Sequence, residues 1–366
     1  MLYLAIDQHR KQLTVNLRNE AGDVLLRRQV STQWRLVRKF FAELAERSRG
    51  EGGYVVILEV CGFNDWLLAL IRESDCRRVL WVQPEKRSRH KTDRRDAAQL
   101  GEILWTNRRR LLSGKKVQGV RVIEPASRQD NEARQLTALR LRASRRRTQA
   151  INGVQHVLLK HNLQQECPTK GIQTKRAGAW LAQLSLPPID RLELDHLVQQ
   201  WELCERQLKA LDEQIAALQA QHSQAMILAT LPGGAAFSSL ALASRVGNIG
   251  RFPAAGSLAN YWGLTPACRN SGETTDRLGS ITKQGSALAR FVLGQLVLHV
   301  LRRDPHMRRR YKAIKLRRGS KIARVAIMRQ LACVIWHMLK HQQPYYLGGP
   351  GKHPLQTTHR QLMTSG

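Results

Sequence analysis

The run YVVILEV, residues 54–60, constrains the fold more than any other stretch of this chain. A near-continuous β-branched and apolar run of strand length is the mark of a strand covered on both faces. A sheet buried on both sides needs helices above and below it, so the N-terminal part of the chain is α/β. The flanking sequence agrees. LYLAI (2–6), LTVNL (13–17) and VLLRRQV (24–30) read as strands separated by polar or Gly-containing turns such as EAGD (20–23). Residues 33–48 and 64–73 have helical spacing, VLWV (79–82) is a further buried strand, and a helix begins near Thr92, a suitable N-cap. Three strands, helix, strand, helix, strand, helix describe a mixed sheet that opens with an antiparallel meander.

Residues 126–226 follow a different pattern. Leu194, Leu197, Trp201, Cys204, Leu208, Leu211, Ile215 and Leu218 alternate at spacings of 3 and 4, an a/d seam. An earlier helix, about 130–160, carries Arg134, Arg140, Arg142, Arg145, Arg146 and Arg147. Two long helices forming a coiled-coil hairpin or a dimerisation arm account for both features, with the arginine run placed for phosphate contact. Residues 227–345 form a mostly helical third unit. LATLPGGAAF (228–237) has helix–turn–helix character and resembles hairpins whose backbone amides grip a phosphate. The 260–285 stretch is long and rich in Gly, Ser, Thr and Asn, and long loops in compact domains tend to be functional. Residues 287–301 and 324–339 are buried helices. From Gln342 the chain reads as a loose tail, with 346–366 flexible. The expected domains are therefore 1–125, 126–226 and 227–345.

Charge narrows the function. The 366 residues include 60 Lys+Arg against 28 Asp+Glu, a formal net charge of +32. That surplus strains a compact fold by self-repulsion unless a polyanion is bound, and nucleic acid is the polyanion it fits. With 42% hydrophobic residues the chain has real cores and is not a disordered basic tail. Six scattered cysteines without a CxxC pair read as reduced thiols of a cytosolic protein. An acid at residue 7 argues against a signal peptide, and the apolar run Phe291–Leu301 is too short to span a bilayer, so a membrane partner is not expected.

Against this basic background four acids stand out. Asp7 closes the first apolar strand and Glu59 ends the most buried one. Asp93 and Asp96, at i and i+3, share one face of the following helix inside HKTDRRDAAQL (90–100). Carboxylates that converge without cations repel and raise one another's pKa. They become sensible as ligands of Mg2+, or Mn2+, which bind between carboxylates and substrate phosphates. Two such ions clamp the attacking and leaving oxygens of a phosphoryl transfer. Arginines would bring in the backbone, and acids would hold the metal that acts on it. Arg94 and Arg95 either contact nucleic acid or pair with the two acids between which they lie.

On these residues the sequence resembles the DEDD-type transposases of bacterial insertion sequences, the group that includes the Piv-type DNA invertases. AID (5–7), EVCG (59–62) and KTDRRDA (91–97) match its acidic motifs. Phe252, LANYWGLTP (258–266), SG (271–272) and GSITKQG (279–285) follow its transposase domain in order and spacing. Ala5 stands where the family usually has Gly.

The resemblance implies that Asp7, Glu59, Asp93 and Asp96 form a RuvC-like, RNase H-fold metal site. It implies that Ser271 is the nucleophile that attacks a DNA phosphodiester and forms a covalent serine–DNA link. It also implies homodimers or homotetramers, double-stranded donor and target DNA, and a structured non-coding guide RNA that base-pairs with both. Arg269, Arg277, Lys283 and Arg290 are then candidates for neutralising or binding phosphate. Two other readings stay open: a metal-dependent junction or RNA–DNA nuclease using the four acids alone, and a non-catalytic RNA-binding protein.

Overall fold

The computed structural model describes residues 1–62, 64–84, 93–268 and 278–348. The chain divides into two compact units, Met1–Pro125 and Ala126–Gly366.

The first unit is built on a six-stranded mixed sheet of order β3-β2-β1-β4-β5-β6. Its strands are β1 (Leu2–Gln8), β2 (Gln12–Arg18), β3 (Val24–Ser31), β4 (Tyr54–Glu59), β5 (Cys76–Pro84) and β6 (Val120–Ile123). β1, β2 and β3 form the antiparallel meander, and β1, β4 and β5 run parallel. β6, too short and too exposed to show in the sequence, closes the far edge antiparallel to β5.

Alternation along the strands sorts side chains between two cores. Leu2, Leu4 and Ile6 of β1, Leu13, Val15 and Leu17 of β2, and Tyr54, Val56 and Leu58 of β4 pack with α1 (Trp34–Arg49) and α2 (Asp65–Arg72). Tyr3 and Ala5 of β1 and Val55 and Ile57 of β4 pack on the opposite face with Leu100 and Leu104 of α3 (Asp93–Thr106) and Leu111 of α4 (Arg108–Leu112). This is why 54–60 reads as continuous apolar chain: both faces of β4 are covered.

α3 is held on its face by close fits. Gly101 lies so near β2 that a Cβ there would come within 2.5 Å of Asn16 Oδ1. Arg18 pairs with Glu102 at 2.7 Å, and Trp105 Nε1 donates to the Glu20 carbonyl at 3.2 Å.

The second unit is helical. α5 (Arg128–Lys160) and α7 (Pro188–Ala220) form an antiparallel hairpin, with α6 (Lys175–Gln183) in the connection. Ser127 N-caps α5, its Oγ accepting from Asp130 N at 3.0 Å, and Pro188 opens α7 at a position where a missing N–H costs nothing. All eight seam residues of α7 are buried or half-buried, so the a/d pattern is satisfied within the chain. Small residues on α5 allow the approach: a Cβ on Gly153 would meet Leu197 at 2.7 Å. Ile151, Val154, Leu158, Leu181 and Leu194 form a separate small core away from the helix base.

Below the hairpin lie α8 (Ser223–Ala229), α9 (Ala236–Val246), α10 (Ala255–Tyr261), a two-stranded ribbon of β7 (Pro266–Cys268) and β8 (Leu278–Ile281), α11 (Ala287–Arg303), α12 (Pro305–Arg318) and α13 (Ser320–His341). Trp262, Leu293, Leu331 and Ile335 are among the fully buried residues of their shared core. Among the described residues one helix, Ser320–Lys340, is long and apolar enough to cross a membrane, and more than half of it is buried inside this unit.

Two expectations need correction. The tail from Gln342 is not loose at its start: Tyr345 N donates to Thr230 Oγ1 at 2.8 Å, and Tyr345 OH and Gly348 N donate to the buried Asp304. The PGG turn is not an open phosphate grip. The amides of Gly234 and Ala235 are already bonded to the carbonyls of Leu231 and Gly233, at 2.7 and 2.8 Å.

Candidate active site and nucleic-acid interface

In parallel register Ile6 stands opposite Leu58. Both point into the core under α1 and α2. Asp7 and Glu59, one residue further along each strand, therefore turn to the other face, the one α3 covers. Both lie at the carboxyl ends of adjacent parallel strands. On α3, positions 93, 96, 97, 100, 101 and 104 share a stripe at helical spacing, and Ala97, Leu100 and Leu104 of that stripe are buried against the sheet. The helix thus runs from two aspartate positions at its start to apolar residues beyond. Asp96 is half-buried. The side chains of Asp93, Arg94 and Arg95, and the expected cap Thr92, lie outside the described residues. Among the described residues no group of three or more His, Cys, Asp or Glu is arranged to hold a metal ion. Asp7 is engaged instead by His9, whose Nε2 is 2.9 Å from Oδ2.

Residues that sequence reasoning passed over fix the two strand ends. The buried Gln8 accepts from Asn64 Nδ2 at 2.7 Å through its Oε1, and Asn64 Oδ1 accepts from the Cys61 amide at 2.6 Å. Asn64 Nδ2 also lies 3.4 Å from the Glu59 carbonyl. One side chain thereby ties the residue after Asp7 to the turn after Glu59. The signal was available as Gln8 directly after the strand-ending Asp, but nothing in the pattern paired it with a residue 56 positions away.

In the second unit, Ser271, Arg269 and Arg277 fall outside the described residues. What is described is the root of the ribbon that leads to them. Gly263 and Gly285, both at positive φ, interlock backbone to backbone: a Cβ on Gly285 would sit 2.0 Å from the Tyr261 carbonyl oxygen, and one on Gly263 would sit 2.3 Å from that of Gln284. Thr282 N donates to Thr265 O at 3.0 Å, and Lys283 N to Gly263 O at 3.2 Å. Lys283 is exposed and holds a left-handed backbone, φ 54°. Arg290 Nη1 donates to the carbonyls of Trp262 and Gln284 at 3.0 and 2.8 Å. Its guanidinium is therefore committed, at least in part, to holding the root together. The described ends of the 260–285 stretch thus form an anchored ribbon root.

Of the seven arginines on α5, four are spent within the unit, Arg128 on Glu132 at 2.9 Å. Arg140 forks onto Asp212 at 2.9 and 3.2 Å, Arg147 pairs with Glu205 at 2.5 Å, and Arg134 donates to the Ser244 carbonyl at 2.7 Å. Exposed pairs of this kind contribute about 0–1 kcal/mol, so they orient the hairpin more than they stabilise it. Arg245 is buried and bonded to neutral acceptors, Thr137 Oγ1 at 3.0 Å and Ala241 O at 2.9 Å. Burial, and then the neighbouring Arg134, push its pKa down to about 10, which leaves it charged at neutral pH.

α12 forms a dense basic surface. α12 carries Arg308, Arg309, Arg310, Lys312, Lys315, Arg317 and Arg318 in 14 residues with no acid among them. All but Met307 of this helix is exposed or half-buried. Its charge density was visible in the sequence, but with no apolar period it carried no helix signal.

Residues 225–312 match the family model of the transposases of the IS116/IS110/IS902 family. The transposase for insertion sequence element IS1111A of Coxiella burnetii (strain RSA 493 / Nine Mile phase I) is 25% identical over 302 residues, spanning 80% of this chain and 79% of that protein.

Proposed function

We propose that this chain, which is similar to transposases of the IS116/IS110/IS902 family, is itself such a transposase, and that its chemistry is divided between an acidic site in the first unit and a serine in the second. The similarity supports DNA transposition or recombination as the activity. The observation that carries the finer reading is the β1–β4 register, which brings Asp7 and Glu59 to neighbouring strand ends on the α3 face. That arrangement supports a RuvC-like, RNase H-type reading of the sheet.

The donors at these positions are all carboxylates, the hard oxygen ligands that Mg2+ or Mn2+ prefers. Asp7, Glu59, Asp93 and Asp96 would hold such an ion, displacing His9 from Asp7. The bound ion would supply charge neutralisation at the phosphate and a lower pKa for a bound hydroxyl. The chain's own part is to position these acids through Gln8 and Asn64, and to present the strand through its basic surfaces.

Ser271 attacks the phosphorus of a DNA phosphodiester. One P–O bond forms to Oγ, the serine proton leaves to a base, and the P–O bond to the sugar breaks, its oxygen taking up a proton. One phosphodiester replaces another, so rejoining by a second sugar hydroxyl needs no external energy source. Arg269, Arg277 and Lys283 surround this chemistry in sequence and would neutralise the developing charge. The +32 charge supports a further part of the reading, in which a structured guide RNA and two duplexes are held together by a homodimer or homotetramer.

A suicide substrate tests the whole reading. DNA that cannot be rejoined should become bonded to Ser271, and Ser271→Ala should abolish the adduct. Asp7→Asn and Glu59→Gln should each reduce adduct formation by about 100-fold or more, the scale of removing an electrostatic stabiliser. Cutting that persists in Ser271→Ala and disappears in Asp7→Asn would point instead to a carboxylate nuclease. RNA sequenced from the purified protein tests the guide: a single transcript from the flank of its own gene supports it, and random cellular RNA counts against it.

A further inference from the structure

A cavity of about 420 Å3 opens on the same face of the sheet as Asp7. Thr14 and Asn16 of β2, Arg27 and Gln29 of β3, and Ala97 and Ala98 of α3 line it. Thr14 is 5% exposed and Asn16 1% exposed. Thr14 Oγ1 and Asn16 Nδ2 have no hydrogen-bond partner among the described residues. A buried polar group left in this state costs about 1–3 kcal/mol, so two on one wall need a cause. Asn16 is not free to turn and satisfy itself. Its Oδ1 accepts from Arg18 Nε at 3.3 Å, which leaves the amide donor as the unused end.

The lining has a definite chemical sense. It offers a hydroxyl, a carboxamide donor and the Arg27 guanidinium, and no acidic residue lines it among the described residues. A metal ion would find no carboxylate there among the described residues. An anion with several acceptor oxygens would find a donor for each. The location narrows the anion further. Thr14 is the cross-strand partner of Asp7, Gln29 is the partner of Thr14, and Arg27 is the partner of Asn16. The donor-lined cavity therefore begins one strand away from the carboxylate position, about 5 Å between paired Cα atoms. A donor-lined cavity beside the Asp7 carboxylate position fits a ligand that repeats its negative charge at short intervals.

We propose that this cavity seats a phosphodiester of the DNA strand processed at Asp7 and Glu59, one or two nucleotides from the phosphate that is cut. The assignment rests on the function proposed above. Thr14 and Asn16 donate to the non-bridging oxygens, and Arg27 balances the charge. All three are positioning residues. They fix the register of the strand against the acids and take no part in bond making.

The test uses full-length protein and a duplex carrying the element's own end, with each phosphate in turn replaced by a neutral methylphosphonate. Binding is measured without divalent metal, so no cutting is needed. Wild type should lose about tenfold in affinity at one position beside the cleavage point. Arg27→Gln and Thr14→Val should bind the unmodified duplex about tenfold more weakly and lose the sensitivity at that position alone. Arg27 is exposed, so Arg27→Gln keeps the test valid if Thr14→Val fails to fold. Variants that bind like wild type, or that weaken equally at every position, would overturn the assignment. So would a flat scan together with a melting temperature that inorganic phosphate raises in wild type and not in Arg27→Gln, since that marks a free-anion pocket. A protein that forms no serine adduct yet shows the one-position pattern keeps this cavity and loses the proposed chemistry; the opposite pair of results does the reverse.

Discussion

The phenol of Tyr345 donates to Asp304 Oδ2 at 2.5 Å, across 41 residues of chain. Asp304 is fully buried, caps α12 through the amides of His306 and Met307 at 2.8 and 3.1 Å, and accepts from Gly348 N at 3.1 Å. Burial alone would raise its pKa. The Tyr345 hydroxyl and the three backbone amides outweigh burial and hold it below the usual carboxylate value. Burial and the same carboxylate push the Tyr345 phenol up.

Tyr345→Phe removes one hydrogen bond to a buried charge and should cost about 1.5–3 kcal/mol in urea unfolding. Asp304→Ala, which also removes the cap, should cost more. Because the folded pKa is depressed, the contribution of Asp304 is present above the unfolded value of about 4 and is lost as pH falls through the folded value. Acid unfolding of Asp304→Asn should therefore be less steep with pH than that of wild type. Parallel curves would show that Asp304 does not carry this dependence.

Asn64→Ala should separate strand-end geometry from metal chemistry. It leaves Gln8 Oε1 without its 2.7 Å donor and the Cys61 amide without its acceptor. Loss of one buried and one partly buried hydrogen bond should cost about 1–3 kcal/mol. Adduct formation should fall more than occupancy of the fold does at the same temperature, since all four candidate acids remain. Full activity in a folded variant would remove Asn64 from any positioning role.

Gly285→Ala should disrupt the ribbon root. The left-handed backbone costs a side chain about 1–2 kcal/mol, and the encounter with the Tyr261 carbonyl adds about 1–3 kcal/mol. A drop of about 2–5 kcal/mol in unfolding free energy, with loss of the serine adduct, is the expected result. Gly256→Ala is the matched control: a Cβ there meets nothing within 4 Å, so it should be neutral or slightly stabilising.

Replacing Arg309, Arg310, Arg317 and Arg318 of α12 by Gln should leave stability within about 1 kcal/mol, since all four are exposed. If α12 lies on a duplex, the slope of log affinity against log salt should fall by about 0.9 for each phosphate contact removed. An unchanged slope would take α12 off the nucleic-acid surface.

The parts of this molecule legible in its sequence are those whose pattern is local. β4 announces itself because both faces are apolar, and α7 because eight seam residues keep one spacing. Asp7 and Glu59 are legible as strand-ending acids, and the strand register then turns them to one face. β6 is four residues long and mostly exposed, so it has no period to detect. The Tyr345–Asp304 link, the Gln8–Asn64 tie and the Thr14–Asn16 cavity each depend on which distant strands or helices become neighbours. No spacing within a single element encodes that.

The hairpin has a mechanical consequence. Two helices of 33 residues each extend about 50 Å at 1.5 Å per residue, roughly the rise of fifteen base pairs. The small core at its far end is thus separated along the hairpin from the α8–α13 core. Each added residue lengthens such a hairpin by about 1.5 Å and also rotates its tip by about 100°, so its reach can be retuned only in steps of whole turns.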